Sequence, residues 1–108
     1  VDVVNERSTL VVTASFYDEN KNPVVPTAGT YRIDDADSGF EILADTDLPA
    51  LAVAVDIGLT PDQMRILVAT HAFETRLLTV KFAYGEAKQG TGEYRFMIRN
   101  LMGVTDPG

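Results

Sequence analysis

Few side chains in this sequence are of types that do chemistry, and they fall into two groups. The first is Asp34, Asp35, Asp37, Ser38 and Gly39, within the stretch YRIDDADSGFEI. Several carboxylates on a turn that glycine permits are what a calcium ion requires, since it takes six to eight hard oxygen ligands. The spacing departs from an EF-hand loop: counting from Asp35, the third position is Asp37, but Gly39 already stands fifth, where an acid or amide is needed. The loop therefore reads as a solvated turn between two strands, and no metal ligand is assigned. The second group is His71, the only histidine, with Ser8, Ser15 and Ser38, the only serines. A serine nucleophile needs a base, a group that orients the base and oxyanion donors, and no G-x-S-x-G elbow is present. Turn carboxylates also lack the contrasting environments that split a pair into acid and base. Gly85, Gly90 and Gly92 have no Lys-Ser or Lys-Thr after them, which excludes a phosphate loop and leaves them as turn glycines. No catalytic or cofactor-binding residue is assigned, no cofactor is expected, and the chain does not read as an enzyme.

The elements around these residues follow period two. In TLVVTASFY, Leu10, Val12, Ala14 and Phe16 share one face; in LAVAVDIGL, Leu51, Val53, Val55, Ile57 and Leu59 do so. Tyr31 and Ile33, then Phe40 and Ile42, form short arms on either side of the acidic turn. Leu78, Val80, Phe82 and Tyr84 face Tyr94, Phe96 and Ile98 across a hairpin turn read as GEAKQGTG. Thr60-Pro61-Asp62-Gln63 has the residues of a capped helix entry and predicts about two helical turns through Met64 and Leu67. Six strands, one short helix and no βαβ alternation predict an all-β fold, an antiparallel immunoglobulin-like β-sandwich, with a small barrel as the main rival. With neither cysteine nor tryptophan, the likeness to that fold is architectural. At 108 residues the chain is expected to form a single domain, with residues 1–6 and 102–108 as extended tails.

Charge narrows the partners. The formal charge is −7, which opposes binding to nucleic acid or to an anionic membrane surface. No apolar run approaches the roughly 20 residues of a membrane-spanning helix, and VDVVNERS has neither the basic start nor the apolar stretch of a signal peptide. All of the net charge lies in residues 1–54, where ten acids face Arg7, Lys21 and Arg32; residues 55–108 carry six acids and six bases. The outward parity of the last hairpin is unusually apolar, with Leu77 and Met97 framed by Lys81, Arg95 and Arg99. An apolar centre with a basic rim is the anatomy of a contact surface; equally, single exposed apolar residues are ordinary and arginine stems can cover them. Asp34, Asp35 and Asp37 head an acidic run whose charge complements it, so a contact between copies, or with a neighbouring protein, is expected to pair the two.

RSTLVVTASFYDENKNPVVPTAGTYRIDD, followed by LTPDQM, ETRLLTVKFAYG and GEYRFMIRNL, resembles a group of small structural proteins of tailed bacteriophages. The likeness runs over residues 7–101 and rests on turns and strand patterns. It implies an immunoglobulin-like module in phage heads, connectors, tails or baseplates. A non-enzymatic role in virion assembly or capsid stabilisation follows from it, with other virion proteins or copies of itself as partners and oligomeric assembly. Capsid decoration or cement stands ahead of a connector or baseplate part. The alternative is an extracellular binding module for glycans or cell surfaces. Such a platform needs exposed aromatics, and only Tyr17 falls on an outward parity, Phe40 and the other strand aromatics being expected inside.

Overall fold

The computed structural model describes residues 2–68 and 70–101. Seven strands run through them: β1 (Asp2–Asn5), β2 (Leu10–Ser15), β3 (Ala28–Asp35), β4 (Glu41–Asp47), β5 (Ala54–Leu59), β6 (Phe73–Tyr84) and β7 (Lys88–Arg99). Five form one sheet in the order β1-β7-β6-β3-β4, and β2 pairs with β5 in a second. Every pairing is antiparallel except that of β1 with β7. The alternation seen in the sequence decides which faces meet. Val55, Ile57 and Leu59 of β5 are buried against Ile33, Leu78, Val80, Phe96 and Ile98 of the larger sheet, with Leu10, Val12 and Ala14 of β2 packed alongside. Each large aliphatic side chain buried in this way contributes about 1.5–3 kcal/mol.

Four expectations are corrected. Among the described residues there is no helix. Thr60 and Gln63 do make the reciprocal bonds of a capping box, with the Thr60 N–H donating to Gln63 Oε1 at 2.9 Å and the Gln63 N–H to Thr60 Oγ1 at 3.3 Å. Only one turn follows, because Met64 is fully buried and its carbonyl accepts the Arg7 N–H at 2.9 Å instead of continuing a helical ladder. Residues 2–5, expected as a tail, form β1, because β7 offers them an open edge; residues 102–108 lie outside the described residues. Strand β5 begins at Ala54, where its ladder with β2 ends at Ser15, so Leu51 and Val53 are exposed, as are Leu67 and Phe40.

The last correction concerns the hairpin. Tyr84 pairs with Lys88, so the turn is only Gly85, Glu86 and Ala87, with φ of 56° at Gly85 and 58° at Ala87. Gly90 and Gly92 are strand residues on the core-facing parity, opposite Phe82 and Val80. At Gly90 the reason is steric: the Phe82 ring lies where a Cβ would stand.

Candidate functional site

The face of the five-stranded sheet turned away from β2 and β5 is built row by row. Asp34, Leu77 and Arg95 stand side by side on β3, β6 and β7; the next row holds Thr75, Met97 and Val3, and the one after it Phe73, Arg99 and Asn5. Residues in register across neighbouring strands share a face, about 5 Å apart. Leu77 and Met97 are half-buried, while Val3 and Phe73 are 52 % and 45 % exposed. Arg95 and Arg99 flank this apolar stripe, and neither forms an ion pair among the described residues. Lys81 faces the same way but pairs with Thr30 and Thr91, four residues along β6 from Leu77 and so about 13 Å away. The structure thus brings Leu77, Met97, Arg95 and Arg99 together and leaves Lys81 apart. Val3, Phe73 and Thr75 complete the patch, and sequence reasoning missed them because β1 and the true start of β6 were not recognised.

The acidic side is arranged differently from expectation. Asp34 is held by Arg32 in a two-point pair, Nε to Oδ2 at 2.9 Å and Nη2 to Oδ1 at 2.8 Å. Arg32 also reaches Glu41 at 3.1 Å and Asp45 at 3.8 Å. Its bonds to Asp34, then the charges of Asp34, Asp45 and Glu41, raise the guanidinium's hold on its proton. Asp37 is exposed. Asp35 is no part of a contact surface: it shares the core-facing parity of Tyr31 and Ile33 and is buried.

Asp35 belongs instead to an internal ionic cluster. Arg76, fully buried on β6, donates from Nη1 to Asp35 Oδ1 at 2.7 Å and from Nη2 to Glu74 Oε1 at 2.6 Å and to the Arg65 carbonyl at 2.8 Å. Glu74, also buried, accepts the N–H groups of Leu67 and Val68 at 2.8 Å each, and His71 Nδ1 lies 2.9 Å from its Oε2. Asp35 accepts the N–H of Ser38 at 3.0 Å and its hydroxyl at 2.6 Å. Burial alone would raise the Glu74 carboxyl, but the Leu67 N–H, the Arg76 guanidinium, the Val68 N–H and His71 outweigh it and hold the pKa at about 2. The cluster ties down the chain at Ser38 and at Leu67 and Val68, whose backbone N–H groups its carboxylates satisfy.

His71 is half exposed at the rim of this cluster, with its carbonyl accepting from Asn100 Nδ2 at 2.8 Å. A groove of about 290 Å³ lies between β2 and the β6–β7 hairpin and another of about 250 Å³ over Gly29 and Gly90, and His71 lines neither. No group of three or more His, Asp or Glu among the described residues is placed to hold a metal ion. Comparison with protein-family models, curated proteins and solved structures gave no match to this chain.

Proposed function

We propose that the chain is a non-enzymatic structural module of a tailed-phage virion, of the capsid-decoration or cement kind ahead of a connector or baseplate part. It would act by contact with other virion proteins or with copies of itself. The observation that carries the contact reading is the outer face of the larger sheet, where exposed Val3 and Phe73 and half-buried Leu77 and Met97 lie beside Arg95 and Arg99. Sheets that face water on one side normally carry polar residues there. The assignment to a virion rests on the sequence resemblance over residues 7–101.

An immunoglobulin-like sandwich is the architecture we infer for this module. With β2 taken as strand B and the rest following in chain order as C, C′, E, F and G, the larger sheet reads G-F-C-C′ and faces B-E. That is the grouping of a variable-type domain.

Phage particles assembled from the genome that encodes the chain provide the test. The chain should sediment with purified particles in many copies. Replacing Arg95 and Arg99 together by Glu should reduce the retained copies at least tenfold at low salt, since opposing rim charges govern encounter and register. Particles without the chain, or retention indifferent to the charge reversal, would overturn the reading.

A further inference from the structure

The groove between the two sheets is open along one side, between the edges of β2 and β7. Strand β7 has twelve residues, but β1 covers only Phe96 to Arg99, so among the described residues no strand pairs with the outer edge of β7 from Lys88 to Glu93. Among the described residues strand β2 pairs with β5 alone, so no described strand lies along its other edge. Val12, Ala14 and Phe16 on one side and Leu78, Val80, Gly92 and Tyr94 on the other line the groove of about 290 Å³.

The direction of the free backbone groups on β7 follows from one bond. The Arg99 carbonyl accepts the Glu6 N–H at 2.9 Å, so Arg99 points its amide groups toward β1, away from β6. The register of β6 with β7 is unbroken, and in an antiparallel ladder alternate residues turn their N–H and C=O outward. Gln89, Thr91 and Glu93 therefore present free donors and acceptors at the groove's lip, on the line that β1 would take if continued past its start. Gly92, between them, leaves the core-facing position empty: a Cβ built there meets nothing within 4 Å. A hydrogen-bonding edge beside an apolar slot with one side chain missing is the arrangement on which strand addition works, backbone bonds giving affinity and the slot giving specificity.

We propose that this groove is a strand-acceptor site, which takes an extended segment of a partner protein running parallel to β7 in continuation of β1. An apolar side chain of that segment fills the space over Gly92. The chain's charge of −7 favours Lys or Arg at the alternate, outward-facing positions of the incoming strand. This site does not depend on the virion reading, since any protein partner with such a segment would use it.

The probe is a seven-residue synthetic peptide alternating lysine and valine, compared with one of the same composition in which the lysines and valines are in separate blocks. Hydrogen exchange by NMR reads the amides of Gln89, Thr91 and Glu93. The alternating peptide should slow their exchange at least tenfold while leaving Gly90 and Gly92 unchanged, and the block peptide should not. Thr91→Pro should abolish the effect, because it removes an outward N–H and no bond to β6; Gly92→Leu should do so by filling the slot. Circular dichroism and urea denaturation would verify that both variants remain folded. Protection that persists in folded Thr91→Pro, equal protection by the block peptide, or none with either peptide would overturn the proposal. A light-scattering mass of two chains, with those amides already protected in the protein alone, would also overturn it in favour of a second copy as the occupant.

Discussion

At one end of the two packed sheets, the core-facing parity of β3 and β6 carries Asp35, Arg76 and Glu74; toward the β6–β7 turn the same parity carries Phe82 and Tyr84. There the Phe82 ring meets Phe16 edge-on at a centroid distance of 4.8 Å and stacks with Tyr84 at 5.7 Å. The strands are the same, yet one end is held by charge-assisted hydrogen bonds and the other by aromatic packing over glycine. The charged end organises loops, because carboxylates can satisfy the N–H groups of Leu67, Val68 and Ser38, which an apolar side chain cannot do. The aromatic end has little loop to organise and instead keeps a long hairpin flush with its neighbours. Their responses to mutation and to pH should accordingly differ.

Arg76→Met would break the comparison most severely. It leaves Asp35 and Glu74 buried without their shared cation, and removing one partner of a buried ion pair costs about 3–5 kcal/mol. Urea denaturation at pH 7 measures the loss, and exchange should speed up at the amides of Leu67, Val68 and Ser38 before those of β7. Replacing Asp35, Glu74 and Arg76 together by apolar residues should cost less than the single change, since no charge is then stranded. A single variant as stable as the parent would show that the cluster is incidental.

Acid should separate the two ends without a mutation. Glu74 titrates at about 2 in the folded chain against an ordinary value of 4.5. A carboxyl depressed by folding stabilises the protein above its unfolded value, and that contribution is lost as pH falls from about 4.5 toward 2; here it amounts to about 3 kcal/mol. The urea midpoint of the parent should fall across this window. Glu74→Gln, already less stable at pH 7, should show a flatter pH dependence there. Identical slopes would mean that other carboxylates dominate.

Much of this was legible in the strand alternation and some of it was misread. Ile33 and Leu78 were placed inside by period two, and the same count extended by one step puts Asp35 and Arg76 inside as well, with Glu74 next. Charged residues are assigned to solvent by composition, and only parity speaks against it. Arg32 could not be matched to Asp34, Glu41 and Asp45 from the sequence, because β3 and β4 pair with register shifts after Tyr31 and Ile33. The capping residues Thr60 and Gln63 were identified correctly, but burial of Met64 decided how far a helix could run, and burial is a property of the whole core. The outer-face patch was half visible: Leu77, Met97, Arg95 and Arg99 share a parity, whereas Val3 joins them only through a parallel pairing that sequence periodicity does not encode.

The finest contrast lies within the aromatic end itself, between two glycines of β7 spaced two residues apart on the same parity. A Cβ at Gly90 would overlap the Phe82 ring, whereas one at Gly92 meets open space. Gly90→Ala must push Phe82 off Phe16 and Tyr84, and overpacking of this kind costs about 1–3 kcal/mol. Gly92→Ala introduces no clash and narrows the unfolded chain's freedom, which should stabilise the protein by about 0.4–1 kcal/mol. Thermal denaturation of the pair should therefore show midpoints displaced in opposite directions from the parent. Displacement in the same direction would mean that the ring yields without cost, and that the Gly90 position is set by the hairpin's backbone instead of by Phe82.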